Sequence, residues 1–318
     1  MNNKCKPQNE NAKPGSFNAC NVQVSLSDSG GMALIITLVI LTLLTALVVE
    51  FAYGVYINTN ALNNWQESQR LSLTARSALR LASGVISGNI DNYSYTHPDL
   101  LKDYNGRALA LSRDIATVYI EDESAKFNLN SLVYPNGMLN KSAYDSFVRL
   151  LTDLRLDPDI APRVADWIDP DAEEKTAGSE LKAKNGYLDS VDELLLVRGI
   201  DRASYDRVAP YVTIYGNGLV NVNCADVPVL MSLSESIDKE TAERIVSYRE
   251  NTPFERPENI LKVAGLETAG ASLMGRITVK GTVFHITSVA QAGPIKRVIE
   301  SVLEISGRAG IVKYWREI

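Results

Sequence analysis

The run MALIITLVILTLLTALVV, Met32 to Val49, constrains this chain more than any other segment. Its 18 residues carry no charge, and only Thr37, Thr42 and Thr45 are polar. At about 1.5 Å per residue, a helix of that length crosses most of a bilayer's hydrocarbon. A buried helix of a soluble protein would rarely lack a polar face for about five turns. A cleaved secretory signal is the second alternative. Such signals have a shorter apolar core with a small-residue site after it. Here the small pair, Gly30-Gly31, comes before the core.

The helical pattern does not stop at Val49. No proline occurs from Glu50 to Ser87, and only Gly54 and Gly84 weaken the run. Apolar or small residues recur at Leu62, Trp65, Leu71, Ala75, Ala78, Leu79, Ala82, Val85 and Ile86, close to a period of about 3.6. This predicts one helix from Met32 to about Ser87, roughly 80 Å long. Its first half would sit in lipid and its second half would pack on a soluble domain. Gly88-Asn89 is the expected stop.

The remaining length is enough for two compact units. The chain has 32 basic and 38 acidic residues among 318, a net charge of −6, which disfavours binding nucleic acid by charge. Two histidines, His97 and His285, leave little room for a histidine-based zinc site or acid/base chemistry. Cys5 and Cys20 precede the apolar run, so Cys224 has no disulfide partner after it and reads as a small buried apolar residue.

Asp91 to Gly106 reads as a turn-rich connection. IATVYIEDES and AKFNLN read as strands joined by a tight turn. Helices are expected over 142–154, 157–169, 190–197, 203–208, 225–233, 239–249 and 257–263, with short strands in YVTIYG and LVNVN. The end is β, with a hairpin turn at Ala292-Gly293-Pro294. Strands, then helices, then strands imply one α/β unit with a helical domain inserted.

Two stretches invite a chemical reading. Ala165 to Glu193 holds nine acidic residues against three lysines. Within it, Asp169, Asp171, Glu173 and Glu180 occupy positions 1, 3, 5 and 12 of a twelve-residue window. Those are calcium-loop positions, because Ca²⁺ takes about six to eight hard oxygen ligands. Position six is Glu174 rather than the glycine that makes the turn, so this is not an EF-hand. The stretch is either an irregular calcium loop or a solvated acidic loop without metal. The second stretch, VNVNCADVPVLMSLSESIDKETAERIVSYRENTPF, resembles a helix-hairpin-helix element of the kind that grips DNA backbone, and LDSVDELLLVRGID is a weaker echo. Leu219 to Leu266 has eight acidic and five basic residues, and its turn Ser234 to Asp238 lacks glycine. Packing or protein contact therefore fits it better than phosphate contact.

A long helix that is apolar first and amphipathic second, preceded by glycine, resembles the type IV pilin and pseudopilin superfamily. The resemblance implies that a prepilin peptidase removes the leader 1–31 on the cytoplasmic side. It would cut between Gly31 and Met32, or between Gly30 and Gly31, and methylate the new N-terminus. The superfamily normally carries glutamate at the fifth mature residue, where this chain has Ile36. The leader departs too, with three lysines but none near the cut. Together with DWIDPDAEE, SVDELLLVRGI, VNVNCADVPVLMSL and the terminal VKYWREI, these features resemble the K-type minor pseudopilins of type II secretion systems, from Gly31 to the C-terminus.

That resemblance implies an α+β, pilin-like fold with a long N-terminal helix, an antiparallel sheet and a large, mainly helical insert. The transmembrane part would be 32–50. The pilin-like domain would be 51–130 with 270–318, and the helix-hairpin-helix-like insert 131–269. It implies a non-enzymatic, single-pass inner-membrane protein with a periplasmic C-terminal domain. Its implied partners are the I-type and J-type minor pseudopilins at the pseudopilus tip, the major pseudopilin and the prepilin peptidase. The tip would prime assembly and support export of folded proteins through the outer membrane. One or two structural Ca²⁺ ions are implied, on Asp169, Asp171, Glu173 and Glu180, and no nucleic acid. Ile36 then has a physical meaning. The missing carboxylate would pair with a neighbouring subunit's amine in lipid, and a subunit with no neighbour above it has none to meet. The competing expectations are a membrane-anchored helix-hairpin-helix DNA-binding protein, and a calcium-dependent hydrolase for which no nucleophile–base pair is evident.

Overall fold

The computed structural model describes residues 29–318, apart from 103, 104, 112, 172, 174, 177–182, 268 and 308. The leader with Cys5 and Cys20, and Glu180 of the acidic stretch, lie outside the described residues. The chain divides into two units, Met1–Leu62 and Asn63–Ile318.

The described part of the first unit is helical, the opening portion of α1 (Ser29–Asn89). From Met32 to Leu62 its apolar side chains are exposed, as lipid-facing residues must be. The three threonines turn their hydroxyls back onto carbonyls of Leu34, Val39 and Leu41 at 2.8, 2.9 and 2.9 Å. Each polar group is thus satisfied within the helix itself.

In the second unit α1 continues with Leu71, Ala75, Ala78, Leu79, Ala82 and Ile86 buried, the stripe predicted from the sequence. These residues pack on a five-stranded antiparallel sheet in the order β1 (Arg107–Leu111), β2 (Asp114–Asp122), β7 (Val283–Ala292), β8 (Ile295–Ser306), β9 (Ala309–Glu317). Ala116, Val118, Ile120, Phe284, Ile286, Ile299 and Leu303 supply the sheet's side of that core. Alanines at the contact let the helix lie close to the strands. The β7–β8 hairpin turns at Gly293, whose φ of +54° suits glycine. Arginines fasten the helix to the sheet. Arg70 pairs with Asp114 at 2.9 Å, and Arg297 Nε donates to Ser68 Oγ at 2.8 Å. Arg76 pairs with Glu317 at 2.6 Å and lies 5.2 Å over the Trp315 ring. The terminal YWRE is therefore a latch between the edge strand and α1.

The remaining strands, β3 (Phe127–Asn128), β4 (Val212–Thr213), β5 (Val220–Asn221) and β6 (Ile277–Thr278), lie in the segment between β2 and β7. So do α3 (Lys141–Asp153), α4 (Ile160–Ile168), α5 (Arg202–Val208), α6 (Val227–Ser232) and α7 (Lys239–Asn251), whereas the short α2 (Pro98–Lys102) precedes β1. Because β2 and β7 are neighbours, everything from Glu123 to Thr282 leaves and returns at one point. This segment is built as two copies of one module. In the first, β3 pairs parallel with β4 around α3 and α4; in the second, β5 pairs parallel with β6 around α6 and α7. FNLN opens one copy and VNVN the other. Asn128 and Asn221 accept from the backbone N–H of Asn130 and Asn223 at 2.9 and 3.1 Å. Asn130 bonds both backbone groups of Leu188, at 2.8 and 3.0 Å. Asn223 does the same to Phe254, at 2.9 and 2.9 Å.

The correspondence continues through LDPDIAPRVADW and IDKETAERIVSY, with Ala161 and Val164 matching Ala242 and Ile245, all fully buried. It ends in VDELLLVRGI and PENILKVAGL, where both glycines take positive φ, Gly199 at +86° and Gly265 at +95°. A Cβ on either would meet a matching guanidinium, Arg163 or Arg244. The copies differ most between Trp167 and Leu188, where 20 residues stand against five between Tyr248 and Phe254.

Several expectations are corrected. IATVYIEDES and AKFNLN do not form a hairpin. A 3₁₀ turn at Glu123–Ala125 diverts the chain, and β3 pairs with β4 instead. The connection after α1 contains a 3₁₀ turn (Ile90–Asn92) and α2. The expected helices at 190–197 and 257–263 are 3₁₀ segments, Val191–Leu196 and Pro257–Lys262.

Asn223→Ala, which strips both backbone groups of fully buried Phe254 of their side-chain partner, is expected to lower stability by about 3 kcal/mol in urea denaturation. Arg76→Ala, at a partly exposed pair, is expected to cost less than about 1 kcal/mol.

Candidate functional site

The insert is tied to the sheet by one buried carboxylate. Asp122 ends β2 with its side chain inward. Its Oδ2 accepts from Asn221 Nδ2 at 2.7 Å and from Thr96 Oγ1 at 3.3 Å, and its Oδ1 caps Ser124 N at 2.9 Å. Thr96 Oγ1 also accepts from Gly281 N at 2.6 Å. A Cβ at Gly281 would overlap the carboxylate, so only glycine fits beside it. Sequence patterning missed this group, because an aspartate at a strand end reads as a turn residue. The unusual NxN of VNVN was the available signal.

Cys224 and His97 lie near this root. Burial and the neighbouring Asp122 push the Cys224 thiol well up, so it stays protonated and is no nucleophile. Burial lowers His97, whose Nδ1 accepts from Asp99 N at 3.3 Å. Glu121 of β2, Glu123 of the turn after it and His285 of β7 bring ligand atoms within 4.8 Å of one another. Lys126 already bonds Glu123 and lies 4.0 Å from Glu121, so these acids have a cation of their own.

The processing residues Gly31 and Met32, and Ile36 five places in, all lie within α1, with Met32 and Ile36 exposed. Among the described residues this is the one helix long and apolar enough to cross a membrane.

Three of the four expected ligands in the acidic stretch, Asp169, Asp171 and Glu173, lie among the described residues. Asp169 is buried, but Asp171 and Glu173 are exposed. Asp171 Oδ1 accepts from Glu173 N at 2.8 Å, closing a local turn. Asp169 instead meets Asp166, fully buried on α4, through Lys175. The Lys175 ammonium is 2.8 Å from Asp166 Oδ1 and bonds Asp169 Oδ2, while Lys175 N donates to Asp166 Oδ2 at 2.8 Å. Asp169 Oδ1 accepts no hydrogen bond among the described residues. Burial raises the Asp169 carboxyl against the pull of Lys175. Burial lowers Lys175, and the bonds to Asp166 and Asp169 outweigh it and hold the ammonium above the usual lysine range. At the far end Lys184 pairs with Asp189 and Glu193 at 2.7 and 3.0 Å. Carboxylate oxygens suit calcium, but here the point where two of them converge holds an ammonium. Among the described residues, the point between Asp166 and Asp169 thus has a cation of the chain's own and does not fit a second one.

The hairpin α6–α7 turns its basic residues inward or onto acids. Buried Arg249 donates to the carbonyls of Val222 and Ala225 at 2.7 and 2.6 Å. Arg244 pairs with Glu240 at 2.8 Å and bonds Ala264 O at 3.1 Å, and Lys239 lies 3.7 Å from Glu243. Asp238 caps α7 through Thr241 N at 2.8 Å, placing an acid where a phosphate would approach. This surface does not favour DNA.

Fold and site together define a pilin-like fold, with one long N-terminal helix, an antiparallel sheet and a duplicated helical insert. A family model described as type II secretion system (T2SS), protein K, matches residues 125–217, and a helix-hairpin-helix motif model matches 216–272. The two matches cover one module copy each. The type II secretion system protein K of Pseudomonas aeruginosa is 31% identical over 215 residues, 62% of this chain and 62% of that protein. That of Aeromonas hydrophila is 24% identical over 318 residues, covering 86% of this chain and 92% of the relative. The match thus spans about three fifths of the first relative's length and nearly all of the second's. The chain also shares its fold with a chain of the GspK-GspI-GspJ complex from enterotoxigenic Escherichia coli. The TM-score is 0.65 at 21% identity, over 80% of this chain and 97% of that one. The chain is thus similar, over most of its length, to type II secretion system K proteins.

Burial lifts the Asp122 carboxyl against its hydrogen bonds. A carboxyl raised in the folded state contributes stability that is full below its unfolded value, about 3.9. That contribution is lost as pH rises through the folded value. Asp122→Asn is expected to flatten this part of the profile, measured as urea midpoints between about pH 4 and 7.

Proposed function

We propose that this chain is a minor pseudopilin at the tip of a type II secretion pseudopilus, assembling with the I-type and J-type minor pseudopilins. Prepilin peptidase removes the leader before Met32 and methylates the new N-terminus. The apolar part of α1 sits in the inner membrane, and the unit from Asn63 onward lies in the periplasm. The tip complex primes the major pseudopilin and supports passage of folded proteins through the outer membrane. The role is structural and no reaction is assigned to it.

One observation carries this reading. A membrane-length helix that lacks a carboxylate at its fifth residue, Ile36, continues into a sheet bearing a duplicated helical insert. A shaft subunit needs that carboxylate to meet its neighbour's amine in lipid, whereas an end subunit would bury it unpaired. The neighbouring structure is a GspK-GspI-GspJ complex, which supports the choice of partners.

The test is co-purification of the full chain, in detergent, with the I-type and J-type chains of the same host. A stable ternary complex is expected, with no micromolar binding to duplex DNA at physiological salt. Failure to hold either partner, together with tight DNA binding, would reverse the assignment.

A further inference from the structure

The acidic loop is an addition to a module that folds without it in its second copy. The positions matching Asp166 and Asp169 are Ser247 and Glu250, both exposed. A buried acid pair therefore occurs only in the copy that carries the loop. Two carboxylates exposed to the extent of 0% and 2% require a cation. A divalent ion is the general solution for oxygen donors so arranged. In this chain Lys175, nine residues after Asp166 and six after Asp169, brings an ammonium to the same point, and its own N–H to Asp166. An ammonium there also repels a second cation, since two positive charges within about 4 Å oppose each other strongly away from bulk water.

We propose that Lys175 is a covalently tethered substitute for a metal ion, closing the root of the acidic loop and making its fold independent of divalent cations. The loop then holds without a bound ion in surroundings of any calcium content. Its two ends are pinned by lysines from its own sequence, Lys175 at the start and Lys184 at the exit. The proposal does not rest on the tip assignment.

The experiment follows thermal melting of the full chain in detergent, with EDTA, with calcium chloride and with magnesium chloride. For the wild-type chain the midpoint is expected to be the same in all three. For Lys175→Gln the midpoint in EDTA is expected to fall by roughly 5–10 °C, as breaking a buried pair would produce, and calcium is expected to raise it again. If Lys175→Gln does not fold, the triple variant Lys175→Gln/Asp166→Asn/Asp169→Asn, which carries no charge at the point, is expected to fold and to ignore calcium. A wild-type midpoint that drops in EDTA and returns with calcium overturns the proposal. So does a Lys175→Gln midpoint equal to wild type in EDTA.

Discussion

The folded unit depends on the carboxylate of Asp122. It stands where the sheet ends and the insert begins, and it also touches the point where the insert returns. Asn221 reaches it from the second module copy, Thr96 from the segment after α1, and Gly281 crowds against it from the return segment. Ser124, capped by the same group, accepts from Thr282 and Val283 N at 3.1 and 3.2 Å, just as β7 starts. Four separate stretches of chain are thereby held at one buried point. Asparagine, threonine and glycine are the residue types that deliver donors there without bulk. Nothing in this arrangement requires the group to react. It is an anchor, and its lifted proton affinity is the cost of its burial.

Much of the fold around this anchor was legible in the residues, although the anchor itself was not. The uninterrupted period from Met32 to Ile86 predicted α1 to within three residues at either end, because no competing signal interrupts it. The β7–β8 hairpin was legible because Gly293-Pro294 permits little else. β1 was not foreseen, since RALAL has no β-branched or aromatic residue to mark a strand. The false hairpin at Ile115 to Asn130 had good strand composition on both sides. It failed because pairing partners are set by the distant β7 and β4, which local pattern cannot see. In the acidic stretch, even spacing drew attention to Asp171 and Glu173, which are exposed. The acid that matters beside Asp169 is Asp166, hidden in the face of an amphipathic helix, and its partner Lys175 is recognised only once the loop closes.

The duplication explains why the helix-hairpin-helix resemblance was strong in one place and faint in another. Both copies keep the residues that close the module: the paired asparagines, the buried alanine in the second helix, and the arginine facing a positive-φ glycine. They diverge in what they display. Neither Arg163 nor Arg244 is spare for a phosphate, because each lies against its own turn and its own acids. The fold of a DNA-gripping element has been kept, and its basic groups have been absorbed into packing.

The insert also changes how the sheet's own economy of connections should be viewed. Neighbouring antiparallel strands lie about 4.8 Å apart, so a connection between β2 and β7 spans the same short gap whether it is a turn or two folded modules. The entropy of closing a connection grows only with the logarithm of its length. To the sheet, the 160 residues from Glu123 to Thr282 are one loop. A subunit built this way can gain a module by duplication, or lengthen one by a charged loop, while its strand register and the helix laid across it stay as they were. Bulk at one end of the sheet can thus change without disturbing the surface that the sheet and α1 present on the other side.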